Sequence, residues 1–319
     1  MRGLNWWLAA ALVPAVLASL FWDPALLREV AARDAGLART ILLELRLPRT
    51  GLALLIGGSL GLGGAAMQAL LRNPLASPDV LGPSTGAALG AVLAGYFLGF
   101  GVLGVAAGGI LGALGALILL LALAGPGAAT TTLVLAGVAI SALGGALVTL
   151  LLSLAPSPYA LYDVMFWLWG SLADRSLPQL AVAVPVILAA GALLLAQAAR
   201  LDSLALGEEV ASSLGVDVAR LRWLVVVTTG VMVGAGVAVA GSIGFIGLVV
   251  PHIVRPLAGN RPGAALWPSA LAGALLLVVA DMAVRVPVNG QELRLGVVTA
   301  LLGAPFFLWL VVRSRDGAR

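Results

Sequence analysis

The groups in this 319-residue sequence that could do chemistry are few: fourteen carboxylates, eighteen basic side chains that are all arginine, one histidine and no cysteine. Without cysteine there is no thiolate nucleophile, thiolate metal ligand or disulfide. A Walker A phosphate loop needs a lysine that reaches the nucleotide phosphates. This chain has no lysine, so any ATP hydrolysis tied to it belongs to another polypeptide. His252 could in principle ligate haem iron, but it follows Pro251 alone, near the expected end of a helix, and reads as no ligand. No paired carboxylates, metal-spaced cluster or nucleophile–base arrangement occurs, so neither a catalytic nor a metal site is expected. Asp281 lies within an apolar run, where an ionisable group needs a partner, and Arg285 four residues on is the candidate. The net charge of +4 is scattered, with no basic tract and interleaved aromatics of the kind that binds nucleic acid.

The rest of the sequence says where such groups must sit. At 61% hydrophobic residues and a mean hydropathy of +1.10, the chain is far more apolar than a soluble domain, which runs at about 45–50%. It reads as an integral membrane protein. Between Asp79 and Asp163 no charged residue occurs, leaving room for several passes at about 20 residues each. The runs are continuously apolar and rich in Leu, Ala and Gly, whereas barrel strands would alternate. The expected fold class is all-α, a single polytopic domain over residues 1–319 with about ten transmembrane helices. We place the passes at 3–22, 50–71, 80–98, 101–124, 130–153, 177–199, 223–240, a short run after GSIG, 263–284 and 295–313. The first run reads as a retained helix rather than a signal peptide, because Phe21 and Trp22 fit poorly at a small-residue cleavage site. The run FIGLVVPHIVR is brief for a span and is expected to be broken or shielded, since irregular backbone is tolerated only away from lipid.

Residues 23–49 read as a long charged loop ending in LRLPR, with Pro48 fixing a break between Arg46 and Arg49. Gly57, Gly58, Gly61, Gly63 and Gly64 read as packing positions, since small residues let helices approach closely in lipid. Trp167 and Trp169 suggest an interfacial belt. With both termini inside, ten arginines fall on the inner side and eight outside, five of those eight in the long first loop. Long segments obey the positive-inside rule poorly, so both termini are placed in the cytoplasm.

The segment from Arg200 to Arg222, RLDSLALGEEVASSLGVDVARLR, is a polar handle between apolar runs. Leu206, Val210 and Leu214 recur at i, i+4 and i+8 with Ala211 beside them, which gives a two-turn helix one apolar face. Glu208 and Glu209 occupy its first turn, where the helix dipole favours anions. Gly215 follows as a C-terminal stop, and Asp217 can cap a second short helix. A short helix resting on the membrane surface is the plain alternative.

The handle, together with LRLPRTGLALLIGG, MQALLRNPLASPDVLG, GSIGFIGLVVPHIVR and ELRLGVVTALLGAPFF, resembles the FecCD-type permease family. These are the membrane subunits of importers for vitamin B12, haem and iron siderophores, and the likeness runs from about residue 40 to the C-terminus. It implies ten helices per subunit, a pore shared with a second permease subunit as a homodimer, two cytoplasmic ATPase subunits and a periplasmic substrate-binding protein, all at a bacterial inner membrane. No cofactor is implied in this chain; ATP and Mg belong to the ATPase. By that likeness the coupling helices, at about 204–222, dock in a cleft of the ATPase through Leu206, Gly207, Glu208, Glu209, Val210, Ala211, Leu214 and Gly215. Arg46, Arg49 and Arg285 match positions that receive carboxylates of the binding protein, a task for which arginine's planar fork is suited. Asn73, Leu75, Thr130 and Thr131 match the cytoplasmic gate.

Each assignment has a local alternative: Arg285 pairing with Asp281, Asn73 making a turn with Pro74, the threonines capping helices. The motifs are shared across the family's chelates, and iron chelate is favoured over haem and vitamin B12. An ion-coupled carrier is the rival reading, and would need midplane carboxylates or broken-helix ion sites.

Overall fold

The apolar runs fold as helices, and a computed structural model contains no strand among the residues it describes. Those are residues 2–125, 129–155, 157–287 and 292–316, with the backbone alone described at residues 2, 80, 130, 309 and 311–316. In order, α1 (Arg2–Leu20), α2 (Pro24–Arg33) and α3 (Ala35–Thr40) lead through a π-helical stretch (Ile41–Arg46) into α4 (Leu47–Leu70). There follow α5 (Pro83–Val92), extended by a π turn (Leu93–Phe97), then α6 (Val102–Ala124), α7 (Thr130–Ser153), α8 (Pro158–Leu168) and α9 (Leu177–Leu195). The handle forms α10 (Ala198–Leu204) and α11 (Glu208–Ser213), and the chain ends with α12 (Val218–Ala240), α13 (Ile246–Leu257), α14 (Pro262–Val284) and α15 (Leu295–Asp316).

Seven helical stretches among the described residues are long and apolar enough to cross a membrane: Gly3–Leu20, Ala35–Leu70, Val102–Ala124, Thr131–Ser153, Leu177–Leu195, Val218–Ala240 and Pro262–Val284. The other three expected passes fall on α5 with its π turn, on α13 and on α15, apolar over Leu295–Leu308, and these apolar stretches are shorter than the seven. Residues 23–49 are not the charged loop that the sequence suggested. They are almost wholly helical, and Pro48 sits in the first turn of α4 rather than at a break. A proline ring collides with the carbonyl four residues back and donates no hydrogen bond. The π turn just before it widens the spiral, with Leu47 N bonding to Leu42 O, and so carries the helix through.

Glycines set the helix order. A Cβ at Gly57 would collide with the carbonyl oxygen of Gly273, and one at Gly61 with that of Ser269, so α4 and α14 run antiparallel with their backbones touching. Gly63 faces Thr229 and Gly236 faces Ile56, which lays α12 antiparallel along another side of α4. Close contact in lipid rests on this kind of packing rather than on hydrophobicity, and the packing role read from the sequence holds.

Between α12 and α13 the chain is non-helical from Gly241 to Phe245, and Phe245 takes φ +68°. Irregular backbone at depth must be screened from lipid. Here Ser171 N donates to Ala240 O at 2.8 Å, Ser242 N to Leu168 O at 3.4 Å, and α13 lies against α4 where Gly64 meets Gly247. The short FIGLVVPHIVR run is thus shielded but not broken: from Ile246 it is one helix to Leu257, and the irregular backbone precedes it.

Candidate functional site

The ends of three helices meet at one pole of the bundle. Ser19 near the end of α1 shares a 2.7 Å hydrogen bond with Thr50 at the start of α4, and Asp281 and Arg285 lie at the end of α14. Around them opens a cavity of about 1080 Å³ that contains Arg46, Arg49 and Arg285 in its lining, the three positions singled out from the sequence. Arg175 and Arg294 line it too, against the acids Asp174 and Glu292. With Asp281 beneath Arg49 and Arg285, the arginines still outnumber the acids, and the vestibule is basic.

Its arginines are not equally available. Asp281 is fully buried and accepts from Arg49 Nε at 3.0 and 3.1 Å and from Arg285 Nε and Nη2 at 3.0 and 2.6 Å. Arg285 also donates from Nη1 to Ser19 O at 2.7 Å and from Nη2 to Ser19 Oγ at 2.9 Å, and its side chain is 6% exposed. Burial pushes its guanidinium below the ordinary arginine value, opposed by the Asp281 carboxylate. The i, i+4 pairing with Asp281 considered for Arg285 is thus present, and Arg49, 14% exposed, joins it. The outer edge of Arg49 is held by Glu292, Nη2 to Oε2 at 2.9 Å and Nη1 to Oε1 at 3.4 Å. Arg46 donates from Nη1 to Leu20 O at 3.1 Å. Arg294 lies 4.9 Å over the Phe166 ring, which meets Trp169 edge-on at 5.3 Å.

The handle occupies the opposite pole. α12 and α14 each start beside it and end at the vestibule, and 23 residues at about 1.5 Å each span about 35 Å. A bilayer's hydrocarbon core is about 30 Å thick. Leu206, Val210 and Leu214 are 65%, 44% and 61% exposed, so the apolar stripe faces outward. Two details differ from the sequence reading. Ala211 is buried rather than part of the outer face, because α11 has a single turn and a half and its inner side rests on the bundle. Asp217 caps no short helix but the long α12, accepting from Arg220 N at 2.9 Å. Gly207 and Gly215 bracket α11 at φ +111° and +83°, a region that favours glycine, and Gly215 is the expected stop.

The handle is clamped to the long helices. Glu208 pairs with Arg222 of α12 at 2.9 Å, and Glu209 is exposed beside it. Asp202 of α10 accepts from Arg261 Nη2 and from the backbone N of Gly263 in the first turn of α14, both at 2.8 Å. The sequence reading missed Asp202, Arg222, Arg261, Arg175, Arg294 and Glu292. Their partners or neighbours are mostly far away along the chain, and no local spacing marks them.

Asn73, Leu75 and Thr131 lie at the handle's pole, following α4 and opening α7. Asn73 is exposed and its Oδ1 accepts from Leu75 N at 2.9 Å, the local turn that was the alternative to a gate. Leu75 is half-buried and Thr131 exposed; Thr130 opens α7, and its side chain lies outside the described atoms. His252 packs edge-on to Phe306 of α15 at 5.9 Å.

A family model of the FecCD transport family matches residues 7–313. The "Vitamin B12 import system permease protein BtuC" of Vibrio cholerae serotype O1 is 44% identical over 289 residues, 88% of this chain and 86% of that protein. The protein of the same name from Salmonella typhimurium is 42% identical over 322 residues, 98% of this chain and 96% of its own. A solved structure, described as an inward-facing conformation of a metal-chelate type ABC transporter, superposes with a TM-score of 0.87 at 32% identity and covers 98% of this chain and 100% of its own. A fold, a basic vestibule and an exposed handle at opposite poles thus accompany full-length sequence likeness, and the chain belongs to the FecCD transport family, a transport component rather than an enzyme.

Proposed function

We propose that the chain is the transmembrane permease subunit of an ATP-driven importer that moves an intact metal chelate, vitamin B12, from the periplasm to the cytoplasm of a bacterium. One observation carries this reading: the basic vestibule and the exposed apolar handle are joined by the same helices across about one bilayer thickness. The vestibule suits the carboxylates of a periplasmic binding protein, and the handle suits a cleft on a cytoplasmic ATPase. Ten passes, counting α5, α13 and α15, leave both termini in the cytoplasm beside the handle, in keeping with the arginine balance. A second copy of the chain completes the pore and brings Asn73, Leu75, Thr130 and Thr131 into a gate. ATP and Mg are used by two ATPase subunits, and no cofactor is held here.

The relatives named as vitamin B12 permeases favour that cargo over the iron chelate preferred on sequence alone, and over haem. Within the vestibule we rank the docking arginines by the hydrogen bonds each already makes. Arg46 meets a partner carboxylate directly, Arg49 by exchange with Glu292, and Arg285 acts by holding Asp281 in place.

Because the sequence has no cysteine, single cysteines can be placed at Val210 and at Glu292 and labelled in sealed membranes with an impermeant maleimide. The reading predicts labelling of the Glu292→Cys chain from the periplasmic side alone and of the Val210→Cys chain from the cytoplasmic side alone. Labelling of both from one side contradicts it.

A further inference from the structure

Next to the vestibule, with Arg175 in the wall between them, lies a second cavity of about 260 Å³. It is bordered by the end of α5 and its π turn, the start of α6, α8, the start of α9 and the end of α12. Its polar lining consists of Tyr96, Trp167, Arg175 and Gln179, and contains no carboxylate. Arg175 Nε reaches Ser171 O only at 3.4 Å, and no salt bridge to Arg175 forms among the described residues. Gln179 Oε1 is committed to Ser176, accepting from its N and Oγ at 2.7 Å each, so what Gln179 can offer is its NH2 group. Tyr96 and Trp167, also in the lining, carry an O–H and an N–H. A cavity of donors around a guanidinium suits an anion, above all a phosphate.

Phe100, in the turn between α5 and α6, lines both this cavity and an apolar groove of about 630 Å³ between α5, α6 and α7, on the other face of the α5–α6 pair. The groove passes Leu98, Leu111 and Leu147 and reaches Leu119, and no charged residue lines it. From Phe100 to Leu119 an α-helical rise of about 1.5 Å per residue gives roughly 28 Å. An acyl chain suits a long groove with no charged lining. Phe100 and Val102, at the mouth, are exposed.

We propose that one anionic phospholipid of the leaflet on the vestibule side straddles the α5–α6 turn at Phe100, with its phosphate against Arg175 in the cavity and an acyl chain lying between α5, α6 and α7. A free phosphate would account for the cavity but not for the apolar groove on the other side of Phe100. A second copy of the chain pressed on the groove would cover the tail but bring no anion to Arg175, since the outer faces of α6 and α7 are apolar at Leu111, Ile118, Leu135 and Leu143. The site is independent of which cargo is carried.

The test is native mass spectrometry of the full chain released from nanodiscs of equal phosphatidylglycerol and phosphatidylethanolamine. The parent should retain phosphatidylglycerol in preference, and Arg175→Gln should cut that preference about tenfold or more, the worth of one charge-assisted hydrogen-bonded contact. Gly115 lines the groove and a Cβ there meets nothing within 4 Å. Gly115→Phe starts from open space at its Cβ and should obstruct the groove, reducing retention of both lipids. Equal retention of the two lipids by the parent, or parent-like phosphatidylglycerol binding in both variants, overturns the proposal. So does efficient disulfide formation between two copies of a Leu111→Cys chain in membranes, which would show the groove covered by protein. Displacement of the retained species by inorganic phosphate alone would identify a free anion and equally overturn it.

Discussion

Asp281→Asn removes the carboxylate on which Arg49 and Arg285 converge. That carboxylate is fully buried and accepts four hydrogen-bond contacts, two from each arginine. The side-chain amide keeps the volume but offers one acceptor and turns two donors toward guanidinium groups that are themselves donors only. Removing one partner of a buried ion pair costs about 3–5 kcal/mol, because the remaining charge is left uncompensated in a poorly solvated place. Arg49 retains Glu292 and Arg285 retains Ser19, so the expected loss lies near the lower bound, about 3 kcal/mol. Reversible unfolding of the detergent-solubilised chain in increasing SDS, followed by far-UV circular dichroism, measures it. Neutralising both ends in Asp281→Asn/Arg285→Met should cost less than the sum of the single changes by about 1–3 kcal/mol, since no orphaned charge then remains beside Ser19. A single variant within about 0.5 kcal/mol of the parent, the range of ordinary surface changes, would refute the view that this knot ties α1, α4 and α14 together. Strict additivity in the double variant would refute it too.

Two further outcomes follow from the poles. Charging the exposed stripe in Val210→Asp/Leu214→Asp should abolish ATP-driven uptake while binding-protein docking at the vestibule stays at parent affinity; full transport would sink the coupling role of the handle. Freeing the outer edge of Arg49 in Glu292→Gln should strengthen docking of the liganded binding protein, whereas Arg46→Glu should weaken it and flatten its dependence on salt, since charges at the rim of an interface act mainly on association rate. Surface plasmon resonance at low and moderate ionic strength separates the two, and identical kinetics in all three proteins would count against the vestibule as the docking site.

Much of this could be read from the sequence because lipid imposes simple rules. A run without charges reads as helix, a short run must be shielded, and glycines spaced along a helix mark touching backbones; Gly57, Gly61 and the buried face of α13 are where those rules said. The handle stood out because it is the polar stretch between two spans. What could not be read is what depends on contacts between distant residues. Arg49 and Asp281 are 232 positions apart and Asp202 and Arg261 are 59 apart, so neither pair leaves a local pattern. The long charged loop was misjudged for the opposite reason, since alternating charges and a proline are good loop signals. They were overridden by a π turn that carries the helix through Pro48. Ala211 was assigned to the wrong face because three apolar residues around one short turn define a stripe only once the bundle's position is known.

Reconstitution of the chain with its ATPase and binding protein in proteoliposomes tests the central claim most directly, with labelled vitamin B12, an iron siderophore and haem offered in turn to the vestibule side. The account predicts accumulation of vitamin B12 that requires ATP on the handle side and stops when a hydrolysis-dead ATPase is substituted. Uptake that proceeds without ATP and follows an imposed proton gradient would contradict it.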